Sequence, residues 1–153
     1  MAPTEPLFTP FRYSTLMKSD TETLRGRIRD VLGRYQIVQA AYLFGSQAEE
    51  RSNPGSDVDL ALVGPRDELQ AHKLDILADL TAEGLDRVDL VLLDGADPAL
   101  RFEAVHPNCL IHSRTDFDHG SYFSRSLREY FDLEPYLHIQ REAYKQRLLH
   151  GEA

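Results

Sequence analysis

The stretch that decides the fold is Leu43-Phe-Gly-Ser-Gln-Ala-Glu-Glu-Arg-Ser-Asn-Pro-Gly-Ser-Asp-Val-Asp-Leu60. Its first residues close the apolar run Ile37–Phe44, which predicts a buried strand that ends at Gly45. Its last residues begin the run from Asp57 to Val63, where acidic and apolar residues alternate as they do in a strand. The polar residues between them predict a short helix over 47–52 and a loop through 53–55. Two strands joined by a polar connection therefore form the centre of the predicted fold.

The segments on either side alternate between helical and strand patterns. We expect helices over about 20–33, 67–83 and 98–105, strands over 87–93 and 109–112, and a mainly helical segment over 116–149. Pro135 predicts a kink or break of this last segment near Glu134. The order predicts an α/β (α+β) fold with a mixed sheet and a long C-terminal helical segment.

Length and composition indicate one globular domain. The chain has 153 residues, 42% of them hydrophobic and 27% charged. We divide it into an N-terminal arm over 1–19, a core over 20–114 and a helical segment of the same domain over 115–153. The net charge of −8 argues against broad nucleic-acid binding, and no apolar run reaches the length of a membrane span.

The single cysteine and the first residues bear on the compartment. Cys109 has no partner for an internal disulfide, which fits a reducing cytoplasm, and we expect it in the core. Residues 1–14 contain three prolines and lack the basic and apolar blocks of a secretory leader. We therefore expect a cytoplasmic protein without a membrane anchor.

Three aspartates are the candidate catalytic and metal-binding residues. Because strand side chains alternate, Asp57 and Asp59 point to the same side, where Mg²⁺ would relieve the repulsion between two carboxylates. Asp89 interrupts an apolar strand and supplies a third carboxylate, which would allow two metal ions and a general base. Asp86 and Asp94 lie at the ends of that strand and are explained as turn residues. A structural ion pair of Asp89 with an arginine remains the alternative.

Gly45 and Ser46 are the candidate phosphate-binding residues. A glycine lets the backbone approach a phosphate closely, and Ser46 at a helix N-terminus would add amide and hydroxyl donors. Ser46 and Glu49 also satisfy the capping-box pattern, in which the two side chains cap a helix start.

These residues resemble the minimal nucleotidyltransferases of the DNA polymerase β superfamily, whose pattern is Gly-Ser, ten residues, then Asp-x-Asp. The resemblance extends through Val88–Val91, Leu100–Glu103 and Leu127–Leu133 and covers about residues 20–150. Over this range the chain is similar to the MntA-type antitoxins. Such antitoxins pair with a HEPN-domain RNase toxin, HepT. The resemblance implies ATP as substrate, Mg²⁺ as cofactor, a hetero-oligomer with the toxin, and transfer of AMP to a tyrosine of that toxin.

The sequence departs from this family just after Gly-Ser, where many relatives carry a basic residue. Here Gln47 follows, then Glu49 and Glu50, and Arg51 could substitute one turn away. We expect Arg51 and Ser56 to contact the nucleotide together with the Gly-Ser pair. Two other functions stay open: a non-catalytic antitoxin that binds its toxin by contact alone, and a nucleotidyltransferase acting on a small molecule.

Other patterns are less informative. The six histidines show no zinc-binding spacing, and neither a P-loop nor a G-x-S-x-G motif occurs. The helical C-terminal segment carries an aromatic group, which we interpret as helix core, with a partner-docking surface as the alternative. The group consists of Phe123, Tyr130, Phe131 and Tyr136.

Overall fold

A computed structural model describes residues 23–45 and 57–151. A helix, α1, covers residues 23–32, and strand β1 (Ala40–Phe44) follows. The next elements are β2 (Val58–Val63), α2 (Arg66–Ala82), β3 (Val88–Leu92) and α3 (Pro98–Val105). Strand β4 (Leu110–Ser113) and helix α4 (His119–Leu149) complete the chain. The predicted order of helices and strands is confirmed, whereas the expected short helix over 47–52 lies outside the described residues.

The four strands form one mixed sheet in the order β3-β2-β1-β4. Strand β1 is antiparallel to both β2 and β4, while β2 and β3 are parallel and are connected by α2. A parallel pair needs such a crossover because the chain must return to the starting edge of the sheet. The predicted α/β architecture with a mixed sheet is therefore confirmed.

The sheet separates two apolar clusters because successive strand residues face opposite sides. Leu43, Leu60 and Leu90 face helices α1 and α2, where they pack with Ile28 and Ile76. The opposite side of the sheet faces α3 and α4. Its cluster contains Ala40, Tyr42, Phe44, Ala61, Val63, Leu93, Ala104, Val105 and Tyr122.

Strand β1 begins three residues later than predicted. The amide of Val38 donates to the carbonyl of Tyr35 at 3.1 Å, and Tyr35 donates to Leu32 at 3.0 Å, so a second turn follows α1. Cys109, expected in the core, is partly buried and packs against the cluster on the α1 and α2 side. In the described ranges no helix is both long and apolar enough to cross a membrane.

Helix α4 corrects the prediction of a break near Glu134. It is one helix of 31 residues with Pro135 inside it. Proline removes one helical hydrogen bond, which here would be the bond to the carbonyl of Phe131. Phe131, Glu134 and Pro135 are exposed, so water can satisfy that carbonyl, and the helix continues on both sides.

The aromatic group on α4 is only partly core, so the prediction is wrong for two of its four members. Tyr130 stacks on Phe102 of α3 with ring centroids 4.0 Å apart, and Phe123 packs against the cluster that contains Tyr42. Phe131 and Tyr136 are 54% and 66% exposed. From residue 138 onward every described residue of α4 is exposed, so no side chain over 138–149, the second half of α4 below, is buried.

Candidate active site

Strand geometry places Asp59 on the side of the sheet that faces α3 and α4. Asp59, Ala61 and Val63 occupy alternate positions of β2, and the last two belong to the apolar cluster on that side. Asp57 directly precedes the strand and is exposed, whereas Asp59 is half-buried.

The register of the parallel pair brings the third aspartate to the same place. Asp59 is the partner of Asp89, and Val58 is the partner of Val88. Partner residues in neighbouring strands point to the same side, with the strands about 4.8 Å apart. Asp94 lies beyond the strand and accepts a hydrogen bond from the amide of Arg66 at 3.3 Å, in keeping with a turn residue. The structure thus groups Asp89, and not Asp94, with Asp59.

The three aspartates form a concentration of negative charge. Burial raises the pKa of Asp59, and the nearby charges of Asp89, Asp57 and Glu103 raise it further. Across 23–45 and 57–151, no ion pair includes Asp57, Asp59 or Asp89, so the structural ion pair considered for Asp89 finds no support there. Close carboxylates without a neutralising cation repel one another, which disfavours the ionised form.

The donor chemistry of this group fits a hard divalent cation, because Mg²⁺ prefers carboxylate oxygens together with phosphate oxygens and water. The side chains are nevertheless not drawn around a common point: within the described ranges, no three His, Cys, Asp or Glu residues are arranged to hold a metal ion. The fit to Mg²⁺ therefore rests on the donor chemistry of the aspartates and on the register that places Asp59 beside Asp89.

Gly45 packs directly against the carboxylate of Asp59. It follows β1 with φ +66°, and Phe44, the residue before it, is the register partner of Asp59. A Cβ on residue 45 would lie 2.2 Å from Oδ2 of Asp59, where no atom fits. The glycine was predicted from the need to approach a phosphate, and the structure adds a second requirement, space for the Asp59 side chain.

Glu103 is the carboxylate that sequence reasoning did not assign to the site. It is an exposed residue of α3, and its charge is close enough to raise the pKa of Asp59. Asp97 caps α3 by accepting from the amide of Ala99 at 2.7 Å. Helix α3 is held further by Arg101, which binds Glu129 of α4 at 2.5 Å. In the sequence, Glu103 stands out only as part of the stretch Leu100–Glu103 that carries the family resemblance, because distance across the fold cannot be read from spacing.

Three other predicted site residues, Ser46, Arg51 and Ser56, lie outside the described residues. Their proposed contacts with the nucleotide, and the alternative capping role of Ser46 with Glu49, therefore remain predictions. Gly45, Asp57, Asp59 and Asp89 are the predicted site residues whose positions the structure describes.

The sheet, its helices and the aspartate group define the class of protein as a nucleotidyltransferase. The model of the family described as polymerase beta nucleotidyltransferases matches residues 26–117. This match spans more than half of the chain, so the chain belongs to that family. A comparison with curated proteins finds no match.

Several solved structures with the same fold come from toxin–antitoxin complexes. A chain of a toxin–antitoxin crystal structure with AMP-PNP has a TM-score of 0.64 and 21% identity, and the match covers 82% of this chain and 98% of that chain. A chain from the tri-AMPylated Shewanella oneidensis HEPN toxin in complex with MNT antitoxin has a TM-score of 0.60 and 18% identity, with 84% and 98% covered. A chain of an MntA–HepT crystal structure has a TM-score of 0.57 and 19% identity, again with 84% and 98% covered. At these identities the likeness shows the fold.

Proposed function

We propose that this chain is a Mg²⁺-dependent adenylyltransferase that moves AMP from ATP to a tyrosine hydroxyl of a HEPN-type toxin, and so acts as its antitoxin. The observation that carries the proposal is the pairing of Asp59 with Asp89 on parallel strands, beside Gly45. Family membership supports the nucleotidyl transfer. Among the structures with the same fold, one complex contains AMP-PNP and another contains a tri-AMPylated HEPN toxin, which supports ATP as donor and a protein as acceptor.

Mg²⁺ would be held by Asp57, Asp59 and Asp89, and when bound it neutralises charge on the triphosphate and favours deprotonation of the attacking hydroxyl. Gly45 leaves room for the Asp59 carboxylate and leaves the backbone open toward the phosphates. Ser46, Arg51 and Ser56 are proposed to donate hydrogen bonds to the triphosphate.

The acceptor hydroxyl oxygen attacks the α-phosphorus of ATP. A new oxygen–phosphorus bond forms, the bond from the α-phosphorus to the bridging oxygen of the β-phosphate breaks, and pyrophosphate leaves with the electron pair of that bond. The proton of the hydroxyl passes to Asp89, which acts as general base. Orientation of the acceptor and stabilisation of the developing charge account for most of the rate in phosphoryl-type transfers.

A protein acceptor needs a surface to bind, and the second half of α4 provides one. Ile139, Tyr144 and Leu148 are 64%, 62% and 56% exposed, although apolar side chains of this size are usually buried. Tyr144 and Leu148 are four residues apart and lie on one face of the helix, whereas Ile139 lies on the opposite face. An apolar helix face of this kind commonly binds an apolar groove of another protein. We assign it to the same toxin that accepts the nucleotide.

The experiment incubates the purified chain with labelled ATP, Mg²⁺ and the product of the neighbouring gene, which the proposal requires to be a HEPN-type protein. We expect label on that protein, and loss of label in Asp59→Asn and in Asp89→Asn. Asp86→Asn is the matched control, since Asp86 is an exposed aspartate just before β3 and we assign it no role. Labelling that survives both active-site substitutions would refute the assigned roles.

Two outcomes would favour the other functions. If the double variant Asp57→Asn/Asp59→Asn still neutralises the toxin in cells, the chain is an antitoxin by contact alone. If the purified chain transfers label to a small hydroxyl compound and not to the protein, it is a small-molecule nucleotidyltransferase. Mass spectrometry of the modified toxin tests the choice of tyrosine.

A further inference from the structure

Asn108 lies across the end of strand β1 from Asp59. The amide of Leu43 donates to the carbonyl of Cys109 at 2.9 Å in the antiparallel pair of β1 and β4. The next residues of this pair, Phe44 and Asn108, are therefore opposite each other. On its other side, Phe44 is the register partner of Asp59. Asp59 and Asn108 thus flank Phe44 and are about 10 Å apart, because neighbouring strands are separated by about 4.8 Å.

Two hydrogen bonds hold the side chain of Asn108 on the side of the sheet where Asp59 lies. The hydroxyl of Tyr42 is 2.8 Å from Nδ1 of His119, and Nε2 of His119 is 2.9 Å from Oδ1 of Asn108. His119 is the first residue of α4, and Tyr42 belongs to the apolar cluster that faces α3 and α4. The carboxamide of Asn108 and the carboxylate of Asp59 are therefore on one side of the sheet.

Burial of Tyr42 determines the direction of both hydrogen bonds. Tyr42 is 0% exposed, and His119 is the hydrogen-bond partner of its hydroxyl. A buried hydroxyl hydrogen needs an acceptor, so Tyr42 donates to Nδ1. The neutral imidazole then carries its hydrogen on Nε2 and donates to Oδ1 of Asn108. The carboxamide is thereby oriented, and its Nδ2 keeps two N–H donors that bind no residue of 23–45 or 57–151.

The backbone of Asn108 is held in an uncommon conformation as well. Its φ is +58°, and across 23–45 and 57–151 no other residue with a side chain has a positive φ. Asparagine tolerates this conformation better than most residues, and such backbone outliers cluster at functional sites. Its amide donates to the carbonyl of Val105 at 2.9 Å, which ties it to the end of α3. Backbone and side chain together fix the free amide group before any ligand is bound, as binding residues require.

The phosphates of ATP would lie between Asp59 and Asn108. In the proposed function the α-phosphorus is at the aspartates, and the rest of the triphosphate extends over the turn that begins at Gly45. Gly45 directly follows Phe44, so Asn108 borders this turn on the side away from the aspartates. Gln47 stands where many relatives carry a basic residue. Donors from another part of the fold are therefore needed at this end of the triphosphate.

We propose that Asn108 binds the β- or γ-phosphate of ATP through Nδ2, and that His119 is a positioning residue that orients Asn108. The inference rests on the proposed function, because it takes ATP as the ligand of this site. An N–H donor suits a phosphate oxygen, since a hydrogen bond to a charged group is about twice as strong as one between neutral groups. Tyr42 and His119 act through Asn108 and do not touch the nucleotide.

The test measures binding of the ATP analogue AMP-PNP to the full chain with Mg²⁺ by isothermal titration calorimetry. We expect Asn108→Gly to raise Kd about tenfold or more, because it removes a hydrogen bond to a charged group. Glycine adopts the left-handed backbone readily, and thermal unfolding verifies that the fold is intact. Asn108→Asp still accepts from His119 but replaces the donors by a negative charge, so its Kd should rise further. Ser113→Ala is the control, since Ser113 is an exposed polar residue at the other end of β4.

A double-mutant cycle separates positioning from a structural role of His119. His119→Ala should raise Kd for AMP-PNP in the wild type and should add nothing in the Asn108→Gly background, because its effect passes through the Asn108 side chain. A purely structural residue would weaken binding equally in both backgrounds. AMP lacks the β- and γ-phosphates, so its Kd should be the same in Asn108→Gly as in the wild type.

Three results would overturn the inference. They are an unchanged Kd for AMP-PNP in Asn108→Gly, an equal effect of His119→Ala in both backgrounds, and a weaker binding of AMP in Asn108→Gly. In each of them the wild type still binds AMP-PNP, so the proposed function stands. If the wild type does not bind AMP-PNP, ATP is not the ligand, and the proposed function and this inference fail together.

Discussion

Replacement of Gly45 by alanine tests the packing between the end of β1 and the Asp59 carboxylate. The added Cβ would lie 2.2 Å from Oδ2 of Asp59, about 1.2 Å short of the 3.4 Å at which ordinary contacts begin. The backbone at φ +66° adds a second cost, because a residue with a side chain disfavours that conformation. Gly45→Ala should therefore displace the carboxylate and destabilise the protein.

Both effects can be given a size. A left-handed backbone costs a residue with a side chain about 1–2 kcal/mol, which for a chain of this length lowers Tm by about 2–8 °C. A displacement of about 1 Å at a reacting group can reduce the rate about 100-fold. We expect a loss of kcat/KM much larger than the modest fall in Tm would explain.

Thermal unfolding and AMP transfer to the toxin measure the two effects separately. Gly26→Ala is the control, because Gly26 lies in α1 and an added Cβ there meets nothing within 4 Å. An alanine in a helix interior is favoured over glycine by about 0.5–1 kcal/mol, so this variant should be slightly more stable and fully active.

A double-mutant cycle isolates the contact with Asp59. In an Asp59→Ala background the carboxylate is gone, so Gly45→Ala should lower the stability only through the unfavourable backbone conformation of residue 45. An equal loss of stability in both backgrounds would show that the two residues do not interact. Wild-type kcat/KM in Gly45→Ala would refute the argument that this glycine positions Asp59.

Three further perturbations test other parts of the structure. Burial and neighbouring carboxylates raise the pKa of Asp59 above its ordinary value of 3.8. Below pH 3.8 the carboxyl group is protonated in both the folded and the unfolded protein, so it costs no stability there. The cost grows as the pH rises from 3.8 to the raised pKa, and above that pKa it is fully present. Asp59→Asn should therefore raise Tm in EDTA at pH 7 and give no gain near pH 3. Tyr42→Phe removes the 2.8 Å hydrogen bond to Nδ1 of His119 and should lower the unfolding free energy in urea by about 1–3 kcal/mol. Tyr144→Ser and Leu148→Ser should change stability by less than about 0.5 kcal/mol, because both side chains are exposed, while weakening binding to the toxin in a pull-down.

Each of these three predictions would be contradicted by a specific result. A gain in Tm for Asp59→Asn that is equal at both pH values would show that charge is not its cause. An unchanged urea midpoint in Tyr42→Phe would mean that the bond contributes nothing net. A large loss of stability in the two α4 variants would show that this half of the helix is buried against the rest of the chain.

Much of the site follows from local pattern. Strand alternation alone predicts that Asp57 and Asp59 share a side, and the strand ending at Gly45 places a glycine at its edge. These inferences depend on covalent spacing and on period-2 geometry. The same reasoning predicted α3 with its observed bounds, since Asp97 and Pro98 mark a helix start by their own chemistry.

Strand partners and helix packing required the tertiary structure. The sequence pattern already favours Asp89 over Asp86 and Asp94, but the pairing of Asp89 with Asp59 depends on the register of β2 with β3, which a linear pattern does not contain. Glu103 joins the aspartates only because α3 packs across the sheet. Helix α4 continues through Pro135 because solvent can satisfy the freed carbonyl. A prediction from the low helix propensity of proline takes no account of this exposure.

The sequence by itself determined which side chains could do the chemistry. Residue type sets which groups can bind a metal ion, and spacing along a strand sets the side of the sheet to which they point. Only the tertiary structure decided which of them meet, and that Asn108 lies across the end of β1 from Asp59. The physical reason is that contacts between distant segments arise from burial of complementary surfaces, and that burial depends on every element at once.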